Sequence, residues 1–249
     1  MTQDFRMHPM LIISLAAVLT ACSPPATKVD PAFGAQVRAY LLEHPELLME
    51  MSEKLQAKQQ LAAQQKAQVG ISQNRAKLER DSRDHVLNPD GRVTVVQFFD
   101  YNCGYCKVIA PQVLEMARQQ PDVRFVFKDM VIFGETSEYA AAAASLASSP
   151  AQYATIHNAF MTTKPLNDAA VDRILKANGI DPAAARKQQT DGARRAYIRD
   201  VHTIASQLGI EGTPAFIIGD TMVPGADPDA LKAAIDKALK GKPAGSSAT

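Results

Sequence analysis

The chain is short of cysteine, of net charge and of long apolar runs, and each shortage removes a class of protein. Its 27 Lys and Arg are balanced by 26 Asp and Glu, a formal net charge of +1 over 249 residues. That balance gives no field that would draw nucleic acid or an acidic partner. The main apolar run, residues 10–20, has 11 residues, well short of the roughly 20 that span a bilayer as a helix. Only Cys22, Cys103 and Cys106 carry thiols. There is no second C-x-x-C, and the five histidines (8, 44, 85, 157 and 202) show no metal spacing. A structural zinc site, which needs four ligands, is not written here, and no cofactor is implied. No internal repeat runs along the chain. What remains is ordinary globular composition, 46% hydrophobic and 21% charged, in a length that suits one good-sized domain and an extra segment.

The apolar run suits the core of a secretory signal. Arg6 is the only basic side chain before it, and Asp4 offsets it. Leu19-Thr20-Ala21-Cys22 then sets small residues before a cysteine. This resembles the lipobox of bacterial lipoproteins, in which the signal is cut ahead of the Cys and its thiol is lipidated. The expectation is a signal peptide over 1–21, lipidation of Cys22 and a tether over 22–31; a plain signal peptide cut nearby is the other reading. Ser23 rather than Asp follows the anchor, which by analogy with enteric sorting points to the outer membrane. With Cys22 consumed, the mature chain keeps only its C-x-x-C pair.

From residue 32 the pattern turns helical. Phe33, Val37, Tyr40 and Leu41, then Leu47, Leu48, Met51 and Leu55, fall at helical spacing, and Pro45 marks a second helix start. Residues 56–68 are rich in Gln, Ala and Lys, strong in helix propensity and with little to bury. Residues 32–86 read as a helical stalk that oligomerises through its apolar stripe, or as a solvated connector. Asn88-Pro89-Asp90-Gly91 is a turn. A β-rich strand over 92–100, a helix over 103–120 and a strand over 123–127 make a right-handed parallel crossover. A helical block at about 134–208 separates it from a strand at 215–218, its hairpin partner at 221–223 and a helix from Asp227-Pro228. The fold class is α/β, with the domain over 87–241 and a disordered tail over 242–249.

The chemistry sits in Gln97-Phe98-Phe99-Asp100-Tyr101-Asn102-Cys103-Gly104-Tyr105-Cys106-Lys107. Two thiols on a helix's first turn can meet as a disulfide, and a helix N-terminus favours a thiolate at the first. Cys103 is expected to be the exposed nucleophile and Cys106 the buried resolving thiol, acting by exchange through a mixed disulfide. Asp100 either tunes the thiolate or shapes the turn, with shaping favoured. Tyr153 and His157 read as core, and the basic residues at 186, 187, 194, 195 and 199 as a solvated helical face.

This motif, the helical block and Gly212-Thr213-Pro214 before a hairpin together resemble the DsbA superfamily of thioredoxin-fold proteins. Tyr40-Leu41-Leu42-Glu43-His44-Pro45-Glu46-Leu47 resembles the N-terminal segment of ScsC-like members. The resemblance implies a thioredoxin fold with a helical insertion, preceded by the stalk. It implies that Thr213-Pro214 is a cis-proline loop whose backbone pairs with substrate. It also implies disulfide formation or isomerisation in exported proteins of the bacterial periplasm, with a DsbB- or DsbD-like membrane redox partner. The Gly104-Tyr105 dipeptide and the Thr before Pro are closer to the isomerase DsbC than to the oxidase DsbA. An oligomer would fit isomerisation too. A pure oxidase, or a copper-handling or chaperone-like binding protein, is the alternative. Gln97 departs from the family, many members of which carry a buried Glu there; Lys128 is that residue's former partner or an exposed strand-end lysine.

Overall fold

The computed structural model describes residues 30–241. The expected signal peptide, Cys22, most of the tether and the tail lie outside the described residues. Two compact units divide at Lys54 and Leu55.

The first unit holds helix α1 (Pro31–Glu43) and the start of α2 (Glu46–Glu79). Asp30 starts α1 by accepting from the Ala32 N–H, with Pro31 at the first helical position. Phe33, Tyr40, Leu42, Leu48 and Met51 are all exposed, so the apolar stripe has no core of its own.

The second unit is built on a five-stranded sheet ordered β1-β3-β2-β4-β5. The strands are β1 (His85–Leu87), β2 (Val93–Phe99), β3 (Val123–Asp129), β4 (Ala215–Ile218) and β5 (Thr221–Pro224). β2 and β3 run parallel through helix α3 (Gly104–Gln119), and the other pairings are antiparallel. Strand alternation sends Val95 and Phe99 to one core with Ile109, Val113 and Ile235, the last from the final helix (Pro228–Gly241). It sends Val96 and Phe98 to a second core with Val201 and Leu208 of the helix Gly192–Leu208. Between β3 and β4 lie α4 (Glu135–Ala144), α5 (Pro150–Thr162), α6 (Asp168–Ala177), α7 (Pro182–Thr190) and α8, the helix Gly192–Leu208. Side chains of Ser149, Asn167, Asp181 and Asp191 cap four of them, and Gly209 ends α8 in the left-handed region at φ 76°.

Four expectations need correction. The helix of the stalk ends at Glu79, not at residue 86, and His85–Leu87 is an edge strand. The stalk does not run to residue 86 as a separate element, because Ile71 and Leu78 of α2 are core with Phe98 and Leu208. Lys128 is 0% exposed, not a strand-end lysine in solvent; its ammonium donates to the Asp84 carboxylate and the Lys77 carbonyl, both at 2.5 Å. Arg124 donates to the Glu79 carbonyl at 2.5 Å. Two cations of β3 thus receive the last carbonyls of α2, a favourable sign at a helix C-terminus. Arg194 likewise leaves the expected solvated face: it is buried against Asp129 at 2.7 Å.

Close packing of α2 depends on Gly70, where a Cβ would stand 2.8 Å from the Gln207 carbonyl oxygen. Gly70→Ala is expected to destabilise the folded chain by about 1–3 kcal/mol. Thermal unfolding checks this; a domain of this size should lose roughly 2–4 °C per kcal/mol.

Candidate active site

The site begins where β2 ends. Asp100, buried, accepts from the Asn102 N–H at 2.7 Å, the Ile132 N–H at 2.7 Å, the Phe133 N–H at 3.0 Å and the Ser137 hydroxyl at 2.6 Å. One carboxylate therefore folds the turn and ties it to the segment entering the insertion, the contacts of a turn anchor. The turn sets Cys103 at the N-cap of α3, where its sulfur accepts from the Cys106 N–H at 3.4 Å. Gly104 and Tyr105 face solvent, Tyr105 at 71% exposure.

Both thiols are free, the reduced form of the pair. Cys103 is covered rather than exposed as expected: it is 3% exposed, and Cys106 0%. The cover is the loop before β4, where the Thr213-Pro214 bond is cis and the Cys103 thiol donates to the Thr213 carbonyl at 3.2 Å. The Cys103 thiol is pulled down to about 5. The neighbouring Cys106 thiol is the main cause; the nearby Thr213 side chain and the N–H groups of Cys106 and Tyr105 add to it, against the cost of burial. Burial pushes Cys106 the other way, far above the ordinary thiol range, and the adjacent Cys103 sulfur adds to it. The two sulfurs are thus set in opposite protonation states over a wide pH range.

Gln97 lies on the α3 side of the sheet, between Val95 and Phe99 in the alternation, and pairs in register with Phe127 and Phe216. It is 1% exposed, and neither of its amide atoms has a hydrogen-bond partner among the described residues. Lys128 is opposite Phe98 in register and so on the other face. It is no partner to residue 97.

Sequence reasoning missed two supports of the site. Lys107, buried beside Cys106, donates to the Phe160 carbonyl at 2.8 Å and the Thr163 carbonyl at 3.0 Å. It joins α3 to the end of α5, and burial lowers its ammonium to about 8. Its place directly after the second cysteine was the available signal. The other support is an aromatic box. The Tyr101 and Tyr153 hydroxyls lie 3.2 and 3.3 Å from His157 Nδ1, with Phe99, Phe127 and Phe160 around them. Burial holds His157 down to about 3, neutral at any working pH. The packed role expected for Tyr153 and His157 is the one they have. Among the described residues no cluster of His, Cys, Asp and Glu could hold a metal ion.

A strand, a helix-capped dithiol, a helical insertion and a cis X-Pro loop over the dithiol make a thioredoxin-like arrangement. The family model of the DSBA-like thioredoxin domain matches residues 94–236, more than half of the chain. The chain belongs to the DSBA-like thioredoxin family. A second family model, the copper resistance protein ScsC N-terminal domain, matches residues 31–62. Among solved structures, BcfH of Salmonella enterica Typhimurium is 32% identical, with a TM-score of 0.72 over 83% of this chain and 94% of that one. Proteus mirabilis ScsC in a transitional conformation is 28% identical, with a TM-score of 0.64 over 86% of this chain and 100% of that one. Disulfide bond formation protein D of Bacillus subtilis is 26% identical over 61% of this chain and 75% of its own length. The fold is the thioredoxin-like DsbA fold with an N-terminal helical segment. Membership makes the chain a thiol–disulfide oxidoreductase by family.

Proposed function

We propose that the chain forms or isomerises disulfides in exported proteins, with Cys103 as nucleophile and Cys106 as resolving thiol. The supporting observation is the split of the pair, a thiolate held at about 5 beside a thiol kept protonated. The Cys103 thiolate attacks one sulfur of a client disulfide. A Cys103–client S–S bond forms, and the other client sulfur leaves as thiolate. If a second client thiolate then attacks the client sulfur of that bond, a new client disulfide forms, Cys103 leaves as thiolate and no net electrons move: this is isomerisation. If Cys106 gives up its proton and attacks Cys103, the client leaves reduced and the pair is oxidised. Oxidation of a client is that route reversed, and a DsbB-like membrane partner would then recharge the pair. Thr213 and Pro214 are the substrate-binding edge, Gly104 and Tyr105 its exposed rim. Asp100 positions the turn, and Gln97, an amide, cannot take a proton from Cys106. Refolding of scrambled ribonuclease, with the equilibrium redox potential, tests the reading. Restored ribonuclease activity is expected; no turnover, together with tight Cu(I) binding, would favour the copper-handling alternative that the match over residues 31–62 supports.

The exposed apolar stripe of residues 33–55 supports a homo-oligomer, which would hold several sites around one misfolded client. Light scattering of the mature chain should give an oligomer, and Leu42→Glu with Leu48→Glu should reduce it to monomer while leaving the far-ultraviolet spectrum of the second unit intact. A monomeric wild-type chain would remove this support for isomerisation. The signal, Cys22 and Ser23 support export and a lipid anchor in the outer membrane; radiolabelled palmitate should enter the wild type and not Cys22→Ala.

A further inference from the structure

Two clefts in the second unit share a wall. One, about 350 Å³, lies along the Thr213-Pro214 loop. The other, about 420 Å³, separates β5 from one face of α2. Met222 and Pro224 line both, so the two clefts adjoin along β5, one beside the Thr213-Pro214 loop and the other beside α2, as two stretches of one groove.

β5 is the edge of the sheet on this side. In an antiparallel pair, opposite residues alternate between those that exchange hydrogen bonds and those that turn their groups away. The Gly225 N–H donates to the Pro214 carbonyl at 2.8 Å, and Pro224 lies opposite Ala215, Met222 opposite Ile217. This sets the phase. Thr221 and Val223 spend their backbone groups on β4, whereas Met222 turns its N–H and C=O, and Pro224 its C=O, toward the groove. Proline is tolerated there because its position needs no ladder N–H. The two residues shared by the clefts are therefore the two that present free strand edge.

Across the groove stands a helical stripe, Gln60, Ala63, Gln64, Ala67 and Gln68, with offsets of three, four, seven and eight from the first. The alanines leave room, and the amides both donate and accept. The one carboxylate of this cleft, Asp220, is already paired with Arg75. A wall of neutral amides facing an unpaired strand edge suits the addition of one more strand, read through its main chain.

We propose that an extended, unfolded segment of a client, continuous with its reacting cysteine, adds to the β5 edge between β5 and α2. This rests on the reading of Cys103 as the client-facing nucleophile. Recognition is by backbone amides, so it tolerates many client sequences and asks only that the segment be unfolded.

The test measures exchange by the mature chain with a disulfide of N- and C-blocked cysteine, then with uncharged cysteine peptides extended by about six residues on one side or the other, each about 20 Å of extended chain. One of the two extensions should lower KM at least tenfold relative to blocked cysteine, with kcat little changed. N-methylation of alternate backbone amides in that extension should remove the gain. Ala63→Arg should bring the peptide-to-blocked-cysteine ratio close to one, and Ala63→Ser should keep it. Hydrogen exchange at the Met222 N–H should slow when the peptide is added. The proposal is overturned if neither extension helps, or if the gain survives both N-methylation and Ala63→Arg. A Met222 N–H already protected in a concentration-dependent way without peptide would also overturn it, since the occupant would then be a second copy. If blocked cysteine itself does not react, the oxidoreductase reading fails first and separately.

Discussion

Cys106→Ser will accumulate a disulfide-linked adduct with client protein, and Cys103→Ser will form none and lose exchange down to the uncatalysed level. The two sulfurs differ only by one helical turn in sequence, yet their surroundings send them in opposite directions. The Cys103 thiol is pulled down to about 5, first by its neighbour's thiol and then by Thr213 and two N–H groups. Cys106 is fully buried and stays protonated. The thiolate is the attacking species, so on the mechanism proposed above replacing Cys103 removes the nucleophile. Replacing Cys106 leaves attack intact and removes the internal thiol that ends the adduct. An oriented internal group acts at effective concentrations of about 10⁵ M or more, so release should slow by several orders of magnitude. Non-reducing electrophoresis, then mass spectrometry of the adduct, reads both outcomes. Equal adduct from the two variants, or full activity in Cys103→Ser, would defeat the mechanism.

The potential of the pair should change its pH slope near pH 5. Below that pH both thiols of the reduced chain are protonated, and reducing the disulfide takes up two protons with two electrons, about 59 mV per pH unit. Above it Cys103 is ionised, one proton is taken up, and the slope halves to about 30 mV per pH unit. The sign follows from a lowered thiol pKa. The folded, reduced form gains its full stabilisation above the ordinary thiol value of 9.0, keeps part of it between, and loses it as pH falls through about 5. At pH 7, two units above the folded value, the gain is on the order of 3 kcal/mol. For a two-electron couple this makes the protein more oxidising by about 60 mV. Thiolate absorbance in the ultraviolet should rise once, near pH 5, and vanish in Cys103→Ser. A single rise near pH 9 would mean the dithiol is not poised this way.

The parts of this protein that could be read from its residues are those encoded locally. The dithiol at a helix start, the Asn-Pro-Asp-Gly turn, the Asp181-Pro182 cap and the β4–β5 hairpin each announce themselves within a few positions. What escaped depends on distant partners. Lys128 looks like a surface lysine until Asp84, 44 positions away, is brought to it. Arg194 sits in a basic helix and is buried only because Asp129, 65 positions away, meets it. Ile71 and Leu78 stand seven apart, on one face of a Gln-rich helix, but the other buried positions of that face are Ala67, Gly70 and Asn74, too small or too polar to mark a core stripe, and packing beside Leu208 makes the two core. A three-residue strand such as His85–Leu87 is too short for alternation to show. At the site, the family position of the buried acid was legible in Gln97, but its isolation from Lys128 was not, because register alone decides which face of the sheet each occupies.

The loop that covers Cys103 has a consequence for chemical wear. A low-pKa thiolate open to solvent climbs the oxidation ladder through sulfenic to sulfinic acid, and the second step is not reversed by ordinary reductants. Here Cys103 is 3% exposed and its sulfur lies against the Thr213 carbonyl. Oxidation of a cysteine follows its exposure as well as its thiolate character, so burial of this sulfur limits the access of peroxide to it, and its rate of over-oxidation is set by how rarely it is uncovered rather than by how readily it ionises.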